Sequence, residues 1–120
     1  MYEIYFYKDS SGKEPVLDYL NELKSRTDKD SRIKLNKIDD YIEALSKYGL
    51  QLTEPYIKHL EGDIWELRPI RERIFFVAWY DNSFVLLNHF MKKTQKTPRC
   101  EIERAKRELK DLRDRSDYNE

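Results

Sequence analysis

The sequence predicts a single α+β domain in which helices pack on a small antiparallel sheet of four to five strands. Three observations support this fold class. Two segments in the first half carry apolar residues at helical spacing, several short apolar runs in the second half are separated by turn residues, and a third helical stripe closes the chain. The 120 residues suffice for one hydrophobic core. We place the domain at residues 1–115 and expect residues 116–120 to form a polar C-terminal tail.

Composition excludes several classes of protein. Charged residues make up 38% of the chain and aromatic residues 13%, a combination typical of a small globular domain rather than a disordered segment. Cys100 is the single cysteine, so we expect neither an intramolecular disulfide nor a cysteine metal cluster. We recognise no secretory signal after Met1 and no apolar run near the roughly 18 residues of a membrane span. We therefore expect a cytoplasmic protein without membrane contact.

The chain begins with a predicted strand and a short helix. Residues 2–7 are rich in aromatic side chains, which indicates a strand, and residues 8–12 form a loop. Pro15 suits the first turn of a helix. Its apolar stripe predicts an end near residues 24–27.

A second, longer helix follows, and it is the most strongly patterned element. Asp28 or Asp30 can cap its N-terminus. Its apolar stripe at helical spacing consists of Leu35, Ile38, Ile42 and Leu45. Gly49 suits the left-handed position just past the helix end.

The second half of the chain is predicted to supply most of the sheet. Strands are expected at residues 56–60, 64–68, 73–80 and 83–91, with a tight turn at Asp81-Asn82 between the last two. Those two strands hardly alternate between apolar and polar residues, which favours central positions covered on both faces.

Thr97-Pro98 is a suitable cap and first residue for a final helix. That helix carries a thin apolar stripe. From Asp111 onward the chain is almost wholly polar, and we expect it to fray.

Positive charge is concentrated in the sheet. The net charge of the chain is zero, yet residues 56–99 carry eight bases against five acids, and no acid lies between Asp81 and Glu101. Antiparallel pairing is expected to bring Arg68, Arg73 and the pair Lys92-Lys93 to one edge. Arginine and lysine there suit a phosphate group, because they form charge-assisted hydrogen bonds. The alternative is an ordinary set of solvated strand ends.

Three further residues could take part in chemistry or oppose it. Glu66 and Glu72 are close enough in sequence to neutralise some of the arginines. His89 ends an apolar run near the lysines and could act as a general base with a pKa lowered by nearby cations. A hydrogen-bonded structural histidine is the alternative, and no metal site is expected from two isolated histidines.

Two motifs carry a likeness to a known family. Residues 65–68 read Trp-Glu-Leu-Arg, and residues 90–98 read Phe-x-Lys-Lys-Thr-x-Lys-Thr-Pro. Together with their surroundings, over about residues 56–107, they resemble the phage-derived, HigB-type branch of the RelE/ParE toxin superfamily. The resemblance implies a RelE-like fold with two N-terminal helices on the sheet and one C-terminal helix.

The resemblance also implies a function. Such proteins are toxins of type II toxin–antitoxin systems that cleave mRNA on the translating ribosome, inhibiting translation and growth. The reaction needs no metal or cofactor: the RNA 2′-hydroxyl attacks the adjacent phosphate, leaving a 2′,3′-cyclic phosphate and a free 5′-hydroxyl. The implied partners are the ribosome with its mRNA and a HigA-type helix-turn-helix antitoxin, with two toxins bound to an antitoxin dimer.

Residue roles follow from motif position within this resemblance. We expect Arg73 and Lys93 to stabilise the pentacovalent phosphorane and Arg68 to orient the phosphate. His89 is the candidate base, with a lysine or the ribosome itself as alternatives. The supporting RNA or phosphate ligands are Lys58, Arg71, Lys92 and Lys96.

Two other functions stay open on the same fold. The chain lacks the strong positive charge common among free RelE-type toxins. That difference leaves room for a ParE-type protein that inhibits gyrase without cleaving RNA. It also leaves room for a plain binding module whose basic edge docks an acidic partner.

Overall fold

The computed structural model describes residues 1–116, which form three helices and one five-stranded sheet. In chain order the elements are β1 (Glu3–Phe6), α1 (Pro15–Ser25), α2 (Lys29–Tyr48), β2 (Ile57–Glu61), β3 (Ile64–Leu67), β4 (Glu72–Trp79), β5 (Ser83–Met91) and α3 (Arg99–Arg115). The predicted α+β class and helix arrangement are therefore confirmed. Within the described range, none of the helices combines the length and hydrophobicity that a bilayer crossing needs.

The sheet has the strand order β1-β5-β4-β3-β2 and is mixed. The strands β2 to β5 pair antiparallel with their neighbours in sequence, as expected. In contrast, β1 pairs with β5 in parallel, which the expected antiparallel sheet did not include. A hairpin cannot join parallel neighbours. Here α1, α2 and three strands separate β1 from its partner along the chain.

Both faces of the sheet are covered. On one face, which we call the α1/α2 face, Ile74 and Phe76 of β4 pack in a core with residues of the first two helices. On the other, the α3 face, Phe75 and Val77 pack against the C-terminal helix. The near-continuous apolar runs of β4 and β5 are thus explained, since both strands are central and buried on both sides.

Local signals account for most of the element ends. The Asp28 carboxylate accepts a hydrogen bond from the Ser31 N–H at 2.9 Å, which identifies Asp28 as the cap of α2. Gly49 follows α2 with φ at 57°, and a Cβ there would lie 2.6 Å from the Tyr2 ring. Asp81 and Asn82 both adopt positive φ in the tight β4–β5 turn.

The C-terminal helix differs from expectation at both ends. Thr97 does not cap it: the helix begins at Arg99 without a side-chain cap, and the Thr97 hydroxyl bonds elsewhere. The helix continues through Asp111 to Arg115 instead of fraying. The reason is that the Asp111 carboxylate accepts a hydrogen bond from the buried Tyr7 hydroxyl at 2.5 Å and another from Arg115 at 2.7 Å. Residues 117–120 of the predicted tail lie outside the described residues.

Candidate functional site

Cations from separate segments meet at one end of the sheet. Arg68 follows β3 directly, Arg73 lies near the start of β4, and Lys92 follows β5. Since these strands pair antiparallel, the three positions lie at the same edge. The Lys92 N–H extends the β5 pairing by donating to the Arg71 carbonyl at 2.7 Å. We call Arg68, Arg73 and Lys92, with Lys58 of β2, the basic cluster.

Strand register places the basic cluster on the α3 face. Glu66 lies opposite Phe75, a residue of the α3-face core, and opposite Lys58 on its other side. Residues directly opposite each other in a sheet point to the same face, and so do residues two apart in one strand. Lys58 and Arg68 therefore share the face of Glu66.

Glu66 is the acidic centre of this cluster. Its side chain is 1% exposed, and one carboxylate oxygen, Oε1, lies 3.5 Å from Nε of Arg68 and 3.8 Å from Nε of Arg73. The other oxygen, Oε2, accepts a hydrogen bond from the Thr97 hydroxyl at 2.8 Å. Glu66 thus offsets part of the arginine charge, as expected from sequence.

The Arg73 side chain is buried and hydrogen-bonded to the backbone although it carries a positive charge. It is 7% exposed, and its Nη1 donates to the backbone carbonyls of Ile70 at 3.0 Å and Glu72 at 2.7 Å. Burial lowers its pKa, and the neighbouring Arg68 cation lowers it further. A guanidinium nevertheless keeps its proton in a protein, so Arg73 is a fixed positive charge.

Lys92 differs from the other lysines assigned to the site. Partial burial, followed by the charges of Arg73 and Arg68, lowers its pKa. Strand register places Lys92 on the α3 face, two residues beyond Phe90, which lies opposite Arg73. Lys58 is exposed and contributes in the same direction.

The remaining predicted ligands lie outside the cluster. Lys93 is exposed beyond the end of β5, and Lys96 lies in the loop before α3. Arg71 is exposed in the β3–β4 turn. These three can reach a large ligand from the rim of the site.

His89 is not brought into the cluster. It lies opposite Ile74, on the α1/α2 face, and its ring stacks on Tyr19 with centroids 4.2 Å apart. Burial lowers the pKa of His89, with a further contribution from Arg104. The sheet therefore separates the predicted base from Arg68 and Arg73.

A bulge in β5 explains this separation. Phe75 pairs with Asn88 while Phe76 pairs with Leu86, so Leu87 is an extra residue. Leu87 belongs to the α3-face core, and simple alternation from it would place His89 and Lys93 on that face. The extra residue shifts the alternation by one, so that Lys92 lies on the α3 face in place of His89 and Lys93.

Glu72 occupies the opposite face from Glu66. Its carboxylate accepts a hydrogen bond from the Tyr19 hydroxyl at 3.1 Å and lies 3.8 Å from the Lys34 ammonium. Burial raises the pKa of Glu72, and burial with the nearby Glu72 charge raises that of Tyr19 to about 12. As expected, Glu72 offsets part of the Arg73 charge, but it does so after Glu66 and from the other side of the sheet, where its carboxylate has its hydrogen-bond partner.

The basic cluster can bind a phosphate and stabilise added negative charge on it. Its two arginines are partly buried, so their field is less screened than that of surface cations. Charge-assisted hydrogen bonds from such groups are the strongest that a protein offers to phosphate oxygens. Among residues 1–116, no group of His, Cys, Asp and Glu side chains is arranged to hold a metal ion.

Two residues of this site have contacts that the sequence does not predict. The sequence predicts Glu66 only as a neutralising charge, although its position two residues before Arg68 puts both side chains on the same face. Thr97 was assigned to a helix cap because Thr-Pro is a frequent cap sequence. Its actual partner, Glu66, is 31 residues away in sequence, and no local signal connects them.

Comparison with family models gives a match over most of the chain. Residues 18–110 match the model described as "Phage derived protein Gp49-like (DUF891)". The matched range includes α2, the strands β2 to β5 and the whole basic cluster. A search of curated proteins finds no match.

Proposed function

Since this chain belongs to the Gp49-like family of phage-derived proteins, we propose that it is the toxin of a type II toxin–antitoxin pair and cleaves mRNA on the translating ribosome. The observation that carries this proposal is the basic cluster, in which strand register brings two partly buried arginines and Lys92 to one face of the sheet. The HigB-type motifs at residues 65–68 and 90–98 contribute Arg68 and Lys92 to it.

The proposed reaction is a transfer within the RNA. The 2′-hydroxyl oxygen loses its proton to a base and bonds to the adjacent phosphorus, while the bond to the 5′-oxygen of the next nucleotide breaks and that oxygen takes a proton from water. The pentacovalent phosphorane between these states carries extra negative charge, which preorganised cations stabilise more than they stabilise the substrate. Arg73 and Arg68 provide this stabilisation, and exposed Lys93 adds a contact at the rim.

Lys92 is our candidate for the general base. A lowered pKa increases the neutral fraction of its amine at physiological pH, and the neutral amine can accept the proton of the 2′-hydroxyl. His89 lies on the other face of the sheet and is poorly placed for this step. A lysine base is the alternative that the resemblance already allows.

The zero net charge favours a site completed by the ribosome. A neutral protein has little long-range attraction for bare RNA, so local contacts must position the strand. We propose that the ribosome presents the mRNA to the basic cluster. A helix-turn-helix antitoxin of the HigA type, bound as a dimer with two toxins, is the proposed partner that suppresses the activity.

The test of the activity is cleavage of a defined mRNA with and without translating ribosomes. We expect cuts only when ribosomes translate the message, and 3′ ends that carry a 2′,3′-cyclic phosphate. Primer extension maps the cuts, and opening by a cyclic phosphodiesterase identifies the ends. Intact mRNA together with blocked gyrase supercoiling would support the ParE-type alternative, and the absence of both activities would leave a binding module.

The test of the partner is growth. Expression of this chain alone should arrest growth, and co-expression of a helix-turn-helix protein encoded beside it should restore growth. Mass measurement of the purified complex then gives the ratio of the two chains. Growth without arrest in the absence of the partner would contradict a toxin.

A further inference from the structure

Glu66 occupies the centre of the basic cluster but has no role in the reaction described above. It is the one acidic side chain among residues 1–116 that lies within ion-pair distance of both Arg68 and Arg73. Its side chain is 1% exposed, so water does not replace the arginines as partners. A carboxylate in such a position is costly unless cations and hydrogen bonds hold it.

The carboxylate is oriented by Thr97. The Thr97 hydroxyl donates to Oε2 at 2.8 Å, and this turns Oε1 towards the Nε atoms of both arginines. The distances of 3.5 and 3.8 Å are those of ion pairs rather than hydrogen bonds, and both Nε atoms are buried without a hydrogen-bond partner. Glu66 therefore acts on the two guanidinium groups through its charge, from their Nε sides.

Arg73 has a second anchor in the β3–β4 turn. Its Nη1 donates to the carbonyl of Ile70, a β-branched residue with φ at 55°. Such residues rarely adopt positive φ, and strain of this kind persists where the surrounding structure enforces it. The turn therefore holds Nη1 by a hydrogen bond, while the charge of Glu66 acts on Nε.

We propose that Glu66 is a positioning residue: its carboxylate, oriented by Thr97, holds the Arg68 and Arg73 guanidinium groups so that a terminal nitrogen of Arg68 and Nη2 of Arg73 face the scissile phosphate. This inference rests on the proposed function. It assigns Glu66 to the geometry of the transition state and not to the binding of substrate. Thr97 thereby links the loop that carries the lysines to the arginines of β3 and β4.

A counter-ion without a positioning role makes the opposite prediction. Glu66 reduces the positive charge of the cluster, so its neutral replacement should strengthen anion binding and leave cleavage equal or faster. Positioning predicts that binding and cleavage separate: anion binding is kept or improved while the rate falls. Misplacement of a group at the reacting atoms by about 1 Å can lower a rate about 100-fold.

The experiment compares Glu66→Gln with the control Glu72→Gln. Both replace a buried carboxylate at the same end of the sheet with a neutral isostere, but on opposite faces. Inorganic phosphate binding is measured by titration, and the cleavage rate is measured in a single turnover on ribosomes at saturating protein. We expect Glu66→Gln to bind phosphate at least as tightly as the wild type and to cleave about 100-fold more slowly. Glu72→Gln should match the wild type in both measurements.

A second pair of variants keeps the test open if Glu66→Gln does not fold. Thr97→Ser retains the hydroxyl and should retain the rate, whereas the isosteric Thr97→Val should lose rate without losing phosphate affinity. Cleavage at the wild-type rate by a folded Glu66→Gln would overturn the positioning role. If Glu66→Gln does not fold, cleavage at the wild-type rate by Thr97→Val would overturn it.

A readout without RNA separates this inference from the proposed function. The NMR signals of the arginine Nε–Hε groups report the order of each side chain. In the wild type, Arg68 and Arg73 should each give a separate Nε–Hε signal of an ordered side chain. In Glu66→Gln, motion of both side chains should average these signals towards those of exposed arginines. If the wild type cleaves no mRNA, the proposed function fails, and these signals alone decide the role of Glu66. Unchanged signals in Glu66→Gln would refute it.

Discussion

Two buried glutamates, Glu66 and Glu72, lie at the same end of the sheet but on opposite faces. Both are almost inaccessible, at 1% and 3% exposure. Glu66 faces two arginines, whose charge is permanent, and lies opposite the exposed Lys58 of β2. Glu72 faces the Tyr19 hydroxyl and a single lysine, beside a stacked aromatic pair. The same side chain with the same burial thus serves two different environments.

The two faces of the sheet differ in the charge states they favour. On the α1/α2 face, burial raises the pKa of Glu72 and lowers that of His89, so that face favours neutral forms. On the α3 face, the cations of the basic cluster outnumber the two carboxylates paired with them, Glu66 and Glu54, whose Oε1 lies 3.6 Å from Nη1 of Arg68, and the excess positive charge is available to an anion. The contrast favours the α3 face for the proposed phosphate chemistry and the α1/α2 face for packing.

Substitutions of Arg73 on one face and of His89 on the other should differ most in cleavage rate. Arg73→Ala should lower the single-turnover cleavage rate by about 100- to 1,000-fold, because a donor to the developing charge is lost. His89→Asn should cleave like the wild type and lose only stacking on Tyr19, worth about 1 kcal/mol of stability. Thermal denaturation confirms that both variants are folded. A large loss of cleavage in folded His89→Asn would restore histidine as the base.

Lys92 and Lys93 give the next comparison, since the bulge in β5 puts only the first on the α3 face. Lys92→Gln should lower the rate by about 100-fold, as expected for loss of a general base. Wild-type cleavage should rise with pH up to the lowered pKa of Lys92, and this rise should vanish in the variant. Lys93→Gln should lower the rate by about ten-fold and keep the pH profile. Equal losses in both would place Lys93 at the reacting atoms.

Local sequence signals predicted the elements because those signals act within a few residues. Pro15, Asp28 and Gly49 each lie where a helix end requires their particular backbone or side-chain chemistry. The central position of β4 and β5 followed from their apolar runs. Antiparallel pairing then sufficed to bring Arg68, Arg73 and the lysines to one edge.

The parts that sequence did not predict depend on one residue of register or on distant contacts. Leu87 is apolar like its neighbours, so no residue in this stretch indicates the bulge. The bulge places His89 on the α1/α2 face and Lys92 on the α3 face. The parallel pairing of β1 likewise depends on the whole chain. The Tyr7–Asp111 hydrogen bond, which holds the last turns of α3, joins residues 104 apart.

The pH dependence of stability can isolate Glu72. Its pKa is raised by burial above the ordinary value of 4.5, so the folded protein binds this proton more tightly than the unfolded chain. The resulting stabilisation is full below the ordinary pKa and is lost as the pH rises through the folded value. Glu72→Gln cannot ionise, so its unfolding free energy relative to the wild type should increase across that window, by at most about 1.4 kcal/mol per pH unit.

Urea denaturation of both proteins at a series of pH values measures this difference. All other titrating groups are shared, so their contributions largely cancel. A difference that is constant with pH would mean that the pKa of Glu72 is the same in the folded protein and in the unfolded chain. In that case the contrast between the two faces would lose its electrostatic basis.

The smallest expected effect concerns the turn that anchors Arg73. Ile70 is 52% exposed and has φ at 55°, so its side chain contributes little packing while its backbone is strained. Asparagine tolerates this conformation better, and Ile70→Asn should raise the unfolding free energy by about 1 kcal/mol. The control Ile70→Val stays β-branched and should leave stability unchanged. The midpoint of urea denaturation at a constant slope gives the comparison.

Cleavage by Ile70→Asn then shows which part of the turn serves the site. The backbone carbonyl that accepts the Arg73 hydrogen bond is the same in both proteins, so a more stable variant with wild-type cleavage would assign the anchoring to the carbonyl. A variant that is more stable but cleaves slowly would mean that the exposed Ile70 side chain itself contacts the RNA or the ribosome. The α3 face would then include an apolar contact at its rim in addition to its cations.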